Sequence, residues 1–159
     1  MIEIETYLKI KGDFINIKET TLIDKEKNSI DIDYLEGAIV IKYWSTVVIG
    51  LKEWDYVDQL WNYYIMAISE CIKTGESSFS FPDQSLIVSI RRYHNDSCMF
   101  SVISETEERK YYFNSFIDLA QEMLNSYLYF YKIIGTILNY SNNMLQECQS
   151  VIKEFISGL

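Results

Sequence analysis

The sequence predicts an α+β fold, in which an antiparallel sheet of meandering strands is packed by one central helix and by a C-terminal helical pair. Three observations predict it. Apolar and polar residues alternate with a period of two in the first third of the chain, the spacing becomes helical over residues 53–73, and a second strand-rich stretch precedes helical spacing from Phe116 onward. Helices that are separated in this way from hairpin-connected strands are typical of α+β proteins.

The N-terminal third is predicted to form strands. Residues 2–10 place apolar side chains at alternate positions, as in a sheet with one solvated face, and Gly12-Asp13 marks the turn that follows. The β-branched runs AIVIKY (38–43) and TVVIGL (46–51) predict a hairpin with Trp44-Ser45 at its turn.

Residues 30–34 alternate between apolar and acidic side chains, which predicts one more strand. Asp31 and Asp33 would then project from the same strand face, with Glu36 just beyond it. Two carboxylates placed in this way can hold a divalent ion, as in metal-dependent nucleases. The simpler interpretation is a solvated strand face, and we predict neither a bound metal nor a cofactor.

Residues 53–73 are predicted to form a helix that Gly75 caps. Projected at about 100° per residue, its apolar surface covers more than half of its circumference. One arc, centred near Trp61, is predicted to face the sheet and to be core. A second stripe beside it must meet another helix or a partner protein. Its members are Tyr56, Leu60, Tyr63 and Ala67.

Short strands resume after the helix. Phe79 and Phe81 alternate with serines, and FPDQ (81–84) has Pro at a position that favours a turn. The segments LIVSIRRY (86–93) and CMFSVIS (98–104) flank the loop HNDS and predict a hairpin.

The C-terminal region is predicted to be a helical pair. Ser115 is placed to cap a helix whose third residue is Asp118, and a final helix is expected from about Met144 to Ile156. We predict one α+β domain over residues 1–159, with residues 140–159 as a candidate C-terminal helical extension and Asn139–Asn143 as the nearest feature to a boundary.

Charge and cysteine usage limit the classes of partner. The 159 residues carry 23 acidic and 14 basic side chains, a formal charge of −9, and no basic cluster, so we expect neither nucleic-acid nor membrane binding. The acidity fits a basic partner or serves solubility alone. Three separated cysteines and an N-terminus without signal-peptide character predict reduced thiols and a cytoplasmic location.

No catalytic signature is present, and we predict that the protein is not an enzyme. His94 is the single histidine, and with Cys98 it falls short of the four ligands of a structural zinc, so it is predicted to be a loop residue. Cys71 and Cys148 fall on apolar helix faces, where inert thiols are expected. Arg91-Arg92 is interpreted as a source of salt bridges within the fold.

Aromatic residues are the unusual feature of the composition. The chain contains 13 Tyr and three Trp. Such side chains are enriched in protein interfaces, because they bury a large area with little loss of conformational entropy. They also pack at sheet–helix boundaries with the hydroxyl group in water, and both interpretations stay open.

The run WDYVDQLWNYY, followed after a TGE turn by SFSFPDQSLIVSI, resembles small cytosolic immunity-like proteins of Gram-positive bacterial polymorphic toxin systems. The resemblance covers roughly residues 37–131. It implies a protein that binds a toxin domain by analogy, and it implies no catalytic residue, because immunity proteins share none.

We therefore predict a non-catalytic protein-binding module, an immunity-type inhibitor that binds a cationic toxin domain. The candidate partner-binding surface consists of Asp55, Tyr56, Asp58, Leu60 and Tyr63, with Asp31, Asp33 and Glu36 as a second acidic edge. The alternative is a self-associating structural protein, a homodimer that uses the C-terminal helices, because YLYFYKIIGTIL (127–138) is apolar nearly all round and must be buried.

Overall fold

The computed structural model describes residues 1–140 and 145–158, and it confirms the α+β class. In this part of the chain nine strands form two antiparallel sheets. The strands are β1 (Ile2–Ile10), β2 (Asp13–Asn16), β3 (Glu36–Tyr43), β4 (Thr46–Ile49), β5 (Asp55–Tyr56), β6 (Glu76–Ser80), β7 (Ile87–Arg92), β8 (Cys98–Ile103) and β9 (Glu108–Phe113). The α-helices are α1 (Thr20–Glu26), α2 (Val57–Thr74), α3 (Phe116–Leu138) and α4 (Gln146–Ser157).

The first sheet contains the N-terminal strands in the order β2-β1-β3-β4, and the short β5 also pairs with β3. The predicted strand β1 is confirmed, and its apolar side chains Leu8 and Ile10 are buried. Gly37 in β3 is required by close packing: a Cβ atom there would lie 2.2 Å from the backbone oxygen of Tyr7 and 3.0 Å from Cβ of Val57. This contact brings β1, β3 and the start of α2 together.

The second sheet is a meander in the order β6-β7-β8-β9. Its inner face is apolar and fully covered, with Val88, Ile90 and Phe100 buried. The strands thus belong to two sheets and not to one, because the chain enters α2 after β5 and β6 pairs only with β7.

Helix α2 lies between the two sheets and contacts both of them. The indole N–H of Trp61 donates to Oγ1 of Thr6 in β1 at 3.2 Å, and the ring of Tyr64 packs edge-on against Phe79 in β6 at 4.9 Å. The prediction that Trp61 is core is confirmed. Gly75 ends the helix in the left-handed conformation, with φ of 91°, and its N–H donates to the carbonyl of Cys71, as expected for a C-cap.

Three local predictions are wrong. Residues 20–26 form α1, which the sequence analysis did not anticipate. Residues 32–34 form a 3₁₀ turn and not a strand, because Oδ1 of Asp31 accepts the N–H of Asp33 at 3.0 Å and caps the turn. Helix α2 starts at Val57 and not at residue 53, since residues 51–53 form a 3₁₀ turn and β5 intervenes.

The C-terminal helices pack on the same core as the sheets. Oγ of Ser115 accepts the N–H of Asp118 at 3.2 Å, which confirms the predicted cap of α3. In α4, Ile152 is buried and the ring of Phe155 meets Phe116 edge-on at 5.6 Å. Buried side chains of both sheets and of α2, α3 and α4 form one contiguous cluster.

The start of the final helix falls partly outside the described residues. Met144, its predicted first residue, and most of the Asn139–Asn143 boundary lie there; the described part of α4 begins at Gln146. Among the described residues no helix is both long and apolar enough to cross a membrane.

Candidate protein-binding surface

Two of the predicted partner-binding residues lie in the core. Asp55 is 2% exposed and Leu60 is 1% exposed, so the expectation that they form part of a free surface is wrong. The physical reason is that α2 is enclosed by both sheets and by α3 and α4, which leaves it little free surface. The second apolar stripe of α2 is therefore covered mainly by the protein itself.

Asp55 has a structural role that its sequence position did not reveal. Its carboxylate accepts three backbone N–H groups, from Tyr56 at 2.8 Å, from Asp83 at 3.0 Å and from Gln84 at 2.9 Å. The side chain of Gln84 also donates to the carbonyl oxygen of Trp54. Asp55 thus fastens the FPDQ turn (81–84) to β5.

Asp58 and Tyr63 are half-buried, and both are engaged within the chain. A carboxylate oxygen of Asp58 accepts the hydroxyl of Tyr140 at 3.0 Å, and the ring of Tyr63 packs against Phe79 at 5.9 Å. Tyr63 also lines a groove of about 330 Å³ between α2 and β6, which Cys148 borders. Neither residue presents the freely exposed side chain that the sequence analysis expected.

The remaining four predicted residues come together at one edge of the first sheet. Asp31 and Asp33 are exposed, Glu36 and Tyr56 are half-buried, and Glu36 pairs with Tyr56 across β3 and β5. We name this region the Tyr34 patch. Its members are Asp31, Ile32, Asp33, Tyr34, Glu36, Tyr56 and Asp83.

Tyr34 is the most prominent side chain of the patch. It is 63% exposed, and its ring centroid lies 6.0 Å from that of Tyr56 at an interplanar angle of 56°. Ile32, in the same 3₁₀ turn, is also exposed. The two tilted aromatic rings form an apolar centre, and Asp31 and Glu36 line the same cavity as Tyr34.

The electrostatics of the Tyr34 patch are dominated by carboxylates. Burial raises the pKa of Tyr56, and the carboxylates of Asp83, Glu36 and Asp55 raise it further, which shows how near these charges are. Neighbouring lysines are engaged: Nζ of Lys9 lies 3.4 Å from the centre of the Trp54 ring, and Nζ of Lys11 is 2.9 Å from Glu26. 

No salt bridge within the described residues involves Asp31, Asp33, Glu36 or Asp83. Lys9 and Lys11 line the same cavity as Asp31, Tyr34 and Glu36, so the patch offers carboxylates that form no salt bridge beside an aromatic centre. That combination fits a positively charged protein surface, because aromatic side chains supply contact area while carboxylates attract the partner.

Sequence analysis missed Tyr34, Ile32 and Asp83 as members of this surface. The alternation of Ile32 and Tyr34 with aspartates predicts a strand, and in a strand these two apolar side chains would face the core. Asp83 was recognised only as part of a turn, and its position beside Tyr56 depends on the bonds that Asp55 makes over 28 residues. The sequence signal for an exposed Tyr34 is Asp31, because an aspartate can accept the N–H two residues on and so favour a turn over a strand.

Other predicted chemistry lies away from the Tyr34 patch. Glu53 is buried and pairs with Arg109 at 2.7 Å. Arg91 pairs with Glu76 at 3.1 Å, as predicted for a salt bridge within the fold. His94 lies in the turn between β7 and β8, as expected.

The thiols differ in exposure. Burial raises the pKa of Cys71 to about 11 and that of Cys98 to about 12. Cys148, which was predicted to lie on an apolar helix face, is half-buried. Within residues 1–140 and 145–158, no three His, Cys, Asp or Glu side chains are grouped so that they could hold a metal ion.

Comparison of the chain with protein-family models, with curated proteins and with solved structures finds no match. The geometry and the charge of the Tyr34 patch are therefore the basis for a functional proposal.

Proposed function

We propose that this protein is a non-catalytic binding module that captures a basic protein partner, as an immunity-type inhibitor captures a cationic toxin domain. The observation that carries the proposal is the exposed ring of Tyr34, which is paired with Tyr56 and lies beside carboxylates that form no salt bridge among the described residues. The resemblance of WDYVDQLWNYY to immunity-like proteins supplies the class of partner, and the partner would meet this protein in the cytoplasm.

The charge distribution supports this function in kinetic terms. A formal charge of −9 attracts a cationic partner over distances of about one Debye length, or roughly 10 Å at moderate salt, and so accelerates encounter. The carboxylates of the patch then orient the partner, while Tyr34 and Ile32 contribute the desolvated contact that determines how slowly the complex dissociates.

The test is a binding measurement with a basic toxin domain of a polymorphic toxin system. We expect a complex whose association rate falls steeply as salt rises, because screening weakens steering by the acidic patch. Reversal of one patch charge, Asp33→Lys, should slow association, while the same reversal at the exposed Glu105 should change it little. If no basic partner binds at either low or moderate salt, the proposal fails.

Self-association through the C-terminal helices is a second proposal, and one observation favours it. Leu128 and Tyr129 lie side by side on α3 and are both partly exposed, although residues 127–138 were expected to be buried all round. A second copy of the chain could cover them. Light scattering across a range of concentrations tests the idea, and a strict monomer at every concentration would remove it.

A further inference from the structure

Trp44 occupies a position that the fold alone does not explain. It lies in the turn between β3 and β4 with φ of 55°, and its N–H donates to the carbonyl of Met1 at 2.8 Å. Hairpin turns use Gly or Asn in this left-handed region, because a bulky side chain is disfavoured there. Trp44 is also 65% exposed, so burial returns little stability.

The indole of Trp44 forms one wall of a cavity of about 480 Å³. The opposite wall is the first two turns of α3. The walls are held together beside the cavity, since the ring of Tyr43 stacks on Phe113 at 4.4 Å and its hydroxyl accepts the N–H of Asn114 at 3.0 Å. These contacts of Tyr43 tie β3 to the segment that enters α3.

Two carboxylates face this cavity from α3. Asp118 and Glu122 line it four residues apart, a spacing that places both on one helix face. Among the described residues neither carboxylate forms a salt bridge, and the amino group of Met1, at the same cavity, forms none either. The cavity thus combines an exposed indole with two carboxylates that form no salt bridge, and its lining carries one more negative than positive charge.

We propose that Trp44, Asp118 and Glu122 form a binding site for an arginine side chain of a partner polypeptide. A guanidinium group is planar, stacks on an indole face and donates in a fork to carboxylates, so one arginine satisfies all three residues. A lysine ammonium is a compact, strongly hydrated charge that matches this arrangement less well. The site lies apart from the Tyr34 patch and holds or fails independently of it.

The direct test is a titration of the isotope-labelled protein with N-acetyl-arginine methylamide at constant ionic strength. The indole N–H signal of Trp44, assigned through Trp44→Gly, should shift in a saturable way, with a dissociation constant in the roughly millimolar range for a single side chain. The indole signals of Trp54 and Trp61 are internal controls, because Trp54 is covered by Lys9 and Trp61 is buried.

Two comparisons make the titration decisive. The variant Asp118→Asn with Glu122→Gln should bind the arginine compound about tenfold more weakly, while Glu105→Gln should bind it as the wild type does. N-acetyl-lysine methylamide should bind at least severalfold more weakly than the arginine compound. Absence of a saturable shift, equal binding of the lysine compound, or undiminished binding by the double variant would each overturn the proposal.

A stability measurement tests whether Trp44 is present for binding or for folding. Trp44→Gly relieves the left-handed conformation and removes an exposed ring, so its midpoint in urea should be equal to or higher than that of the wild type. A clearly lower midpoint would show that Trp44 serves the fold, and the proposed role would be withdrawn.

Discussion

The carboxylate of Asp55 accepts the backbone N–H of Asp83 at 3.0 Å, although the two residues are 28 positions apart. The same carboxylate accepts the N–H groups of Tyr56 and Gln84. Two members of the Tyr34 patch, Tyr56 and Asp83, are therefore fixed by a buried side chain that no partner can touch. The geometry of the Tyr34 patch therefore depends on the hydrogen bonds of Asp55, whereas the charge of the patch comes from its exposed carboxylates.

Asp55→Ala should destabilise the protein by about 2–3 kcal/mol, because it leaves three backbone N–H groups without their acceptor in a largely buried position. Asp55→Asn keeps one acceptor oxygen and should cost less. Urea denaturation measures both. Asp33→Ala, at an exposed carboxylate, is the control and should stay within about 0.5 kcal/mol of the wild type. Equal effects at the two positions would show that Asp55 does not fasten the turn.

Sequence patterns predicted the elements whose determinants are local. Strand β1 follows from alternation, the C-cap at Gly75 from the need for a left-handed residue, and the start of α3 from Ser115 followed by Asp118. In each of these cases the residues that decide the conformation lie within a few positions of one another, so the pattern is visible in the printed sequence.

The candidate surface could not be predicted in the same way, because long-range contacts determine it. Helical projection placed Leu60 on a free stripe, but a projection shows one helix and not the sheets and helices that enclose it. The alternation over residues 30–34 fits a strand and a capped 3₁₀ turn equally well, and the side-chain bond from Asp31 decides for the turn. Tyr34 joins Tyr56 only because β5 pairs with β3.

Tyr34→Ala should leave the stability of the isolated protein within about 0.5 kcal/mol of the wild type, because the side chain is mostly exposed. If Tyr34 is an anchor of the interface, the same change should weaken partner binding by about 2 kcal/mol or more. Tyr112→Ala is a matched control, since Tyr112 is 62% exposed on β9, far from the patch in sequence. Calorimetric titration of both variants with the basic partner separates a specific anchor from general loss of aromatic surface.

Trp61→Ala should destabilise the protein by about 3–5 kcal/mol through lost burial and cavity formation. Tyr63→Ala should cost less, about 1–2 kcal/mol, because Tyr63 is half-buried and loses mainly its packing against Phe79. A fully exposed residue would change the stability by no more than about 0.5 kcal/mol. Urea melts compare the variants, and equal losses would place Tyr63 as deep in the core as Trp61.

Tyr64→Phe should be neutral or should stabilise the protein by up to about 1 kcal/mol, because the buried hydroxyl of Tyr64 has no hydrogen-bond partner among the described residues. Tyr131→Phe is the opposite case. Its hydroxyl donates to the carbonyl of Asp58 at 3.1 Å and contacts Oδ1 of Asn62 at 3.0 Å, so its removal should cost about 1 kcal/mol. Destabilisation by Tyr64→Phe equal to that by Tyr131→Phe would mean that the Tyr64 hydroxyl is satisfied after all.

The buried thiols should make the folded protein sensitive to alkaline pH. Burial raises the pKa of Cys71 from 9.0 to about 11 and that of Cys98 from 9.0 to about 12. Below about pH 8 both thiols are protonated in the folded and the unfolded chain, so they add no pH dependence. Above it the unfolded chain releases protons that the folded chain retains. Ionisation then favours the unfolded state, and the free energy of unfolding falls as pH rises.

The slope for each thiol reaches its full value of about 1.4 kcal/mol per pH unit only above pH 9, so the two together should remove about 2–3 kcal/mol between about pH 8 and about pH 10. Urea unfolding across this range measures the loss. The double variant Cys71→Ala with Cys98→Ala should be less stable at every pH but should show a flatter dependence of stability on pH. An unchanged slope in the double variant would assign the alkaline sensitivity to the buried tyrosines instead.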